Sequence, residues 1–242
     1  MACWSYASIA LTSLIAINPL VAATITWGTI QNATGSPSDV VTVGTLFDAV
    51  TGGFTATNPV LNGVTFKRSE DHNPAGGGTA GSTVSSASFL GSSITFTNLA
   101  GEAGAPGGAT PPPSYDAAYQ DILRGGFYQL GSGLDINIPG LTVGQEYLVQ
   151  LWTTTWNTNF LTQFIAGNSS GLMNQSVAGS NPQFVIGTFT ADSATQVINA
   201  QGNSGSYAVV GSLQVRAVPE PSSALIAFAA LCCLPLIRYR RM

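Results

Sequence analysis

Ten short runs rich in Val, Ile, Thr, Phe and Tyr recur along this chain, each closed off by Gly, Asn, Pro or Asp. They span 24–30, 40–47, 63–67, 93–98, 134–138, 146–153, 159–165, 183–190, 195–200 and 207–216. β-Branched and aromatic side chains fit a pleated, half-buried surface, and the punctuating residues supply the turns between strands. Strand-length runs without helical stretches between them predict antiparallel sheets stacked face to face, so the expected class is all-β, a β-sandwich. Only 115–124 carries helix chemistry, with Asp116 near its start and Gly125-Gly126 after its end. One short helix is predicted there. Residues 69–113, rich in Gly, Ser, Ala, Thr and Pro, read as long surface loops around one or two strands.

Charge is scarce: Asp, Glu, Lys and Arg make up 7% of the 242 residues, while 45% are hydrophobic. That excludes a wholly disordered chain, which needs the opposite balance. The net charge is −4, and three of the seven basic residues are Arg238, Arg240 and Arg241 at the extreme C-terminus. The body has no basic stripe to displace counterions, so nucleic acid is not an expected partner. The three cysteines, Cys3, Cys232 and Cys233, all lie in terminal apolar segments. Neither a disulfide framework nor a thiolate metal site is expected in the body, and no cofactor is implied.

Both ends read as addresses. Residues 9–21 form an apolar run, and Val21-Ala22-Ala23 places small residues where a signal peptidase cuts. Residues 1–23 are therefore expected to be a signal peptide cleaved after Ala23, although 1–8 contain no Lys or Arg. At the other end Val218-Pro219-Glu220-Pro221-Ser222-Ser223 leads into the uncharged run 224–237 and then Arg238-Tyr239-Arg240-Arg241. As a helix that run would rise about 21 Å, short of the roughly 30 Å hydrocarbon core, which suits a temporary anchor in the inner membrane. The arginines would stay cytoplasmic. Pro219 and Pro221 fix φ and push their predecessors into extended conformations, so 217–221 is expected to be exposed and non-helical.

This three-part tail resembles the PEP-CTERM sorting signal of exported bacterial proteins, with Pro235 and Cys232-Cys233 as unusual features of the apolar part. The resemblance implies recognition of Val218, Pro219, Glu220 and Pro221 by an exosortase, a membrane-embedded transpeptidase-like protein. Removal of the tail and release or attachment at a Gram-negative-type cell envelope would follow, commonly in bacteria that make extracellular polysaccharide. The expected domain map is a signal peptide over 1–23, a β-sandwich body over 24–217 and a sorting signal over 218–242, with terminal apolar helices at both ends.

Within the body, the stretch from Gly140 to Trp152 resembles the turn-and-strand pattern of bacterial jelly-roll modules. Tyr147, Val149 and Leu151 alternate there with Leu148, Gln150 and Trp152. Gly187 to Asp192 and Gly211 to Arg216 are similar to the last strands of such modules. The resemblance covers roughly 115–216 and implies a galactose-binding-like sandwich, a fold used for sugar binding, adhesion and scaffolding alike.

Several strings look chemical. Gly76 to Gly81 satisfies G-x-G-x-x-G but has no strand before it and no helix after it. Gly167-Asn168-Ser169-Ser170-Gly171 satisfies G-x-S-x-G, yet no His follows to complete a triad. The sole histidine, His72, closes the charge cluster Lys67-Arg68-Ser69-Glu70-Asp71-His72. It reads as a solvated loop more simply than as an acid/base, or as a Ca²⁺ site with Glu70, Asp71 and Asn73. A glycosidase pair drawn from Asp116, Asp121, Asp135, Glu146 or Asp192 has no sequence mark, because carboxylate separation is invisible in sequence. Trp152 and Trp156, with Phe160, Asn157 and Asn159 nearby, suit either a sugar-stacking platform or core packing. The expectation is a non-enzymatic, exported envelope or extracellular-matrix protein of structural type. Its alternatives are a carbohydrate-binding module for extracellular polysaccharide using Trp152 and Trp156, and, after that, a glycan hydrolase or lyase.

Overall fold

The computed structural model describes residues 22–53, 55, 57–70, 85–103, 111–131, 133–154, 160–174, 182–203 and 207–219. Strand is the dominant element, with one α-helix. Eight strands carry the architecture: β1 (Thr45–Thr51), β2 (Thr95–Thr97), β3 (Leu134–Pro139), β4 (Glu146–Trp152), β5 (Leu161–Ala166), β6 (Gln183–Thr190), β7 (Thr195–Gly202) and β8 (Ser212–Ala217). They form two sheets, in the orders β6-β4-β8-β1 and β5-β7-β3-β2, and all of these neighbours are antiparallel. From β3 onward the long strands alternate between the sheets, one in each in turn. Shorter pieces extend the edges, notably Thr26–Trp27 on β6 and Ser86–Ser88 on β2. A third, three-stranded sheet joins Tyr207–Val210, Gly126–Leu130 and Gly101–Ala103.

Period-two patterning explains the core. In β3 the buried residues are Leu134, Ile136 and Ile138, and in β7 they are Gln196, Ile198 and Ala200. Val149, Leu151, Val185 and Leu213 from the first sheet share one apolar cluster with Ile136, Ile138, Phe164 and Ile198 from the second. Phe89, Phe96 and Phe127 meet edge to face there, with centroids 4.9, 6.0 and 5.6 Å apart. Each such side chain contributes roughly 1.5–3 kcal/mol by leaving water.

A second cluster covers the outer face of the first sheet. The helix α1 (Ala117–Leu123) starts where the sequence places it: the Asp116 side chain accepts from the backbone N–H of Ala118 at 2.9 Å and of Tyr119 at 3.4 Å. Capping of this kind is worth about 1 kcal/mol. Tyr119, Ile122 and Leu123 pack with Phe66, Trp152 and Phe184.

The same outer face carries three long polar side chains, Gln150, Gln214 and Arg216, that are nonetheless buried. Gln150 and Gln214 are direct cross-strand partners, and Gln214 Nε2 donates to Gln150 Oε1 at 2.7 Å. A strap over 39–44 lies across them. Gln150 Nε2 donates to Asp39 O at 2.7 Å and accepts from Val41 N–H at 3.1 Å, while Gln214 Nε2 donates to Val41 O at 2.9 Å. The Arg216 guanidinium donates to the carbonyls of Thr42, Val43 and Gly44 at 3.0, 2.8 and 2.8 Å. The run over 40–47 is therefore strand only from Thr45 onward. Side chains of the sheet, rather than a neighbouring strand, satisfy the backbone of its first half.

Three further readings are corrected. The run 207–216 is two strands in different sheets, turned at Gly211, whose N–H donates to Trp152 O at 3.0 Å and whose carbonyl accepts from Gly52 N–H at 2.7 Å. The described residues of 69–113 hold three strands, not one or two. Gly126–Leu130 is a strand with no sequence mark, because two glycines and the preceding helix hide its pattern.

Candidate functional site

The end of the first sheet where β8 finishes gathers both chain exits. Ala217, the last strand residue, pairs with Tyr147 on one side and Thr45 on the other, so it is held inside the sheet. Val218 extends the hold by one residue: its N–H donates to Glu146 O at 2.9 Å, and its carbonyl accepts from Gln145 Nε2 at 2.6 Å. Pro219 is exposed and has no N–H with which to continue a ladder. Pro219, the last described residue, is exposed as expected, whereas Ala217 and Val218, which the prolines alone placed in the same exposed stretch, are held by the sheet. Glu220, Pro221 and everything beyond, including Arg238, Arg240 and Arg241, lie outside the described residues.

The N-terminal exit lies at the same end. Thr26 pairs with Thr188 of β6, and Glu146 pairs with Thr190. Thr26–Trp27, the strand piece nearest the N-terminal exit, thus lies three strand spacings from β8, about 14 Å at the usual separation. Ala23 is buried, and its carbonyl accepts from Gln196 Nε2 at 3.0 Å. Ile25 N–H, two residues on, donates to Ala166 O at 2.9 Å. The Ala23–Thr24 peptide bond is consequently packed in the folded body, and a peptidase reaches it only before this edge folds.

Between the exits lies an open recess of about 440 Å³ lined by Ala23, Thr24, Thr26, Glu146, Thr190 and Asp192, among others. Of the five carboxylates weighed as a glycosidase pair, the structure brings Glu146 and Asp192 to one recess. Asp116 is occupied as the helix cap, and Asp121, on the helix itself, is held above the usual carboxylate range by burial against the pull of Arg124. Asp135 accepts from the side-chain amides of Asn98 and Asn199. Among the described residues, no three His, Cys, Asp or Glu side chains sit together as a metal site.

Trp152 requires a correction. Its ring is fully buried, 5.8 Å from Phe66 and 6.0 Å from Phe184 between centroids, and its Nε1–H donates to the Tyr119 hydroxyl at 3.1 Å. A ring with no open face cannot stack on a sugar. Its place at a strand end leaves stacking and core packing both open in sequence; in the structure it packs with residues of helix α1. Burial, and then the negative charge of Asp39, push the Tyr119 phenol well above its ordinary value. Trp156, Asn157 and Asn159 lie outside the described residues.

The remaining strings resolve locally. Ser169 of the G-x-S-x-G string sits in a short hairpin beside β5, and its hydroxyl donates to Gln163 Oε1 at 3.0 Å. No strand-to-helix elbow presents it. The charge cluster is pulled apart: Lys67 pairs with Asp48 at 2.8 Å, and Glu70 accepts from the Ser88 hydroxyl at 3.0 Å. Asp71, His72, Asn73 and the glycines of 76–81 lie outside the described residues. No helix among the described residues is long and apolar enough to cross a membrane, and the two terminal apolar runs lie outside them.

Comparison with protein-family models, with curated proteins and with solved structures found no match.

Proposed function

We propose that this is an exported, non-enzymatic structural protein of a Gram-negative-type cell envelope or extracellular matrix, carried out by its N-terminal signal and sorted by a PEP-CTERM-like tail. The observation that carries the reading is the junction at Val218–Pro219. Among the described residues the body's last hydrogen bonds are made by Val218, and Pro219, the first residue of the Pro-Glu-Pro motif, is exposed. Pro219 is therefore open to a processing enzyme while the body stays folded. The partners are an exosortase, the export machinery and, transiently, the inner membrane, which the run 224–237 and Arg238, Arg240 and Arg241 would engage.

The body is proposed to be a jelly-roll, galactose-binding-like sandwich, supported by the alternation of successive long strands between two sheets that share one core. The carbohydrate-binding alternative loses Trp152 to the core, and its other ring, Trp156, is left to be tested with envelope polysaccharide. The glycan hydrolase or lyase reading keeps only the Glu146 and Asp192 recess as a place to look.

The test is the intact mass of the protein from its native host. The unaltered chain should lose its tail, and one in which Pro219, Glu220 and Pro221 are all Ala should keep it. Equal masses would end the sorting proposal. Turnover of an envelope glycan by the purified chain, abolished by Glu146→Gln, would overturn the non-enzymatic part.

A further inference from the structure

Among the described residues seven large apolar side chains are substantially exposed, and three of them, Val43 at 66%, Leu46 at 37% and Val143 at 63%, surround the C-terminal exit. Leu46 is the cross-strand partner of Arg216, and the carbonyl of Val43 is held by the same guanidinium. Val143 lies two residues before Gln145, whose amide clamps Val218. Phe47 and Tyr147, 5.7 Å apart, tie β1 to β4 at this end of the sheet. The strap, the start of β1 and the turn before β4 thus raise three aliphatic side chains where the chain leaves the body.

The chain beyond the body limits what can cover them. Only Pro219 to Ser223, five residues, separate Val218 from the uncharged run that starts at Ala224. Fully extended, they reach about 17 Å. Once 224–237 enters a bilayer, so short a tether leaves this end of the sheet facing the membrane surface.

We infer that this end face, with Val43, Leu46 and Val143, rests on the lipid surface of the membrane while the tail is in place. The inference relies on the proposed membrane insertion of 224–237. The contact is apolar rather than electrostatic. Nearby Glu146 and Asp192 are acidic, and the guanidinium of Arg216 is committed to strap carbonyls. Neutral phosphatidylcholine is therefore the fitting surface, and salt should not weaken the contact.

The test reconstitutes the full chain in phosphatidylcholine vesicles containing a photoreactive phosphatidylcholine and maps lipid adducts by peptide mass spectrometry. Adducts in 224–237 together with Val43, Leu46 and Val143 are expected, several-fold above those on Leu130 and Leu172, and unchanged in high salt. Leu130, paired with Tyr207 at the end of its strand, and Leu172, beside Met173 opposite the start of β5, mark the far end of the body. Adducts in 224–237 without any at Val43, Leu46 and Val143 would overturn the inference while sparing the anchor. Equal labelling of both ends would also overturn it. No adducts in 224–237 would overturn the anchor and this inference together.

Discussion

Replacing Trp152 with Ala separates a packing role from a binding role. The side chain is fully buried, so the substitution removes an entire indole from between Phe66, Phe184 and helix α1. Aromatic-to-Ala changes in cores cost about 3–5 kcal/mol, and the hydrogen bond lost at the Tyr119 hydroxyl adds about 1 kcal/mol. For a body of this size each kcal/mol moves Tm by roughly 2–4 °C, so the expected drop is about 8–24 °C. Trp152→Phe keeps most of the packing and loses the N–H donor, for a drop of about 2–8 °C. Thermal unfolding followed by near-ultraviolet circular dichroism reads both variants. Polysaccharide retention should be the same for folded Trp152→Phe and the unaltered protein. A Tm within about 3 °C of the original for Trp152→Ala would refute the packing argument. Retention lost in a fully folded Trp152→Phe variant would refute the correction of Trp152 from a sugar platform to a core residue.

The remaining predictions use the same reasoning at other positions. Arg216→Met should free the strap, costing about 2–4 kcal/mol from three charge-assisted hydrogen bonds offset by easier burial, with faster amide exchange at Val41 and nearby strap residues; unchanged exchange would count against the strap. Because burial raises the Tyr119 phenol above its ordinary value of 10.0, the folded chain holds a proton that the unfolded chain has lost above that pH. The stability due to the neutral phenol is complete below pH 10 and then falls by up to about 1.4 kcal/mol per pH unit, a slope that Tyr119→Phe should reduce in denaturant titrations at pH 8, 10 and 11. Signal peptidase should cut after Ala23 in a nascent or denatured chain and spare the refolded precursor; N-terminal sequencing showing equal cleavage of both would contradict the packing of Ala23.

Legibility tracked the range of the interactions. The short helix could be read from Asp116 and Gly125 because a cap is satisfied within three residues. The break at Gly211 could not, because the partners of that glycine are Gly52 and Trp152, far off in sequence. The five candidate carboxylates were equivalent on paper, and only strand register brings Glu146 beside the turn that carries Asp192. Gln150, Gln214 and Arg216 alternate with apolar neighbours, a pattern that does not itself mark their face as buried. The burial of that face depends on a strap about 110 or more residues earlier in the chain.

Sequence alone determined the all-β class and the helix start, because periodicity and capping are local properties. Tertiary structure alone decided that Trp152 is core, that Val218 is the last clamped residue before Pro219, and that both exits share one end of one sheet. Each depends on which strands become neighbours, and that choice is made by the collective burial of two sheet faces, which no window of sequence contains.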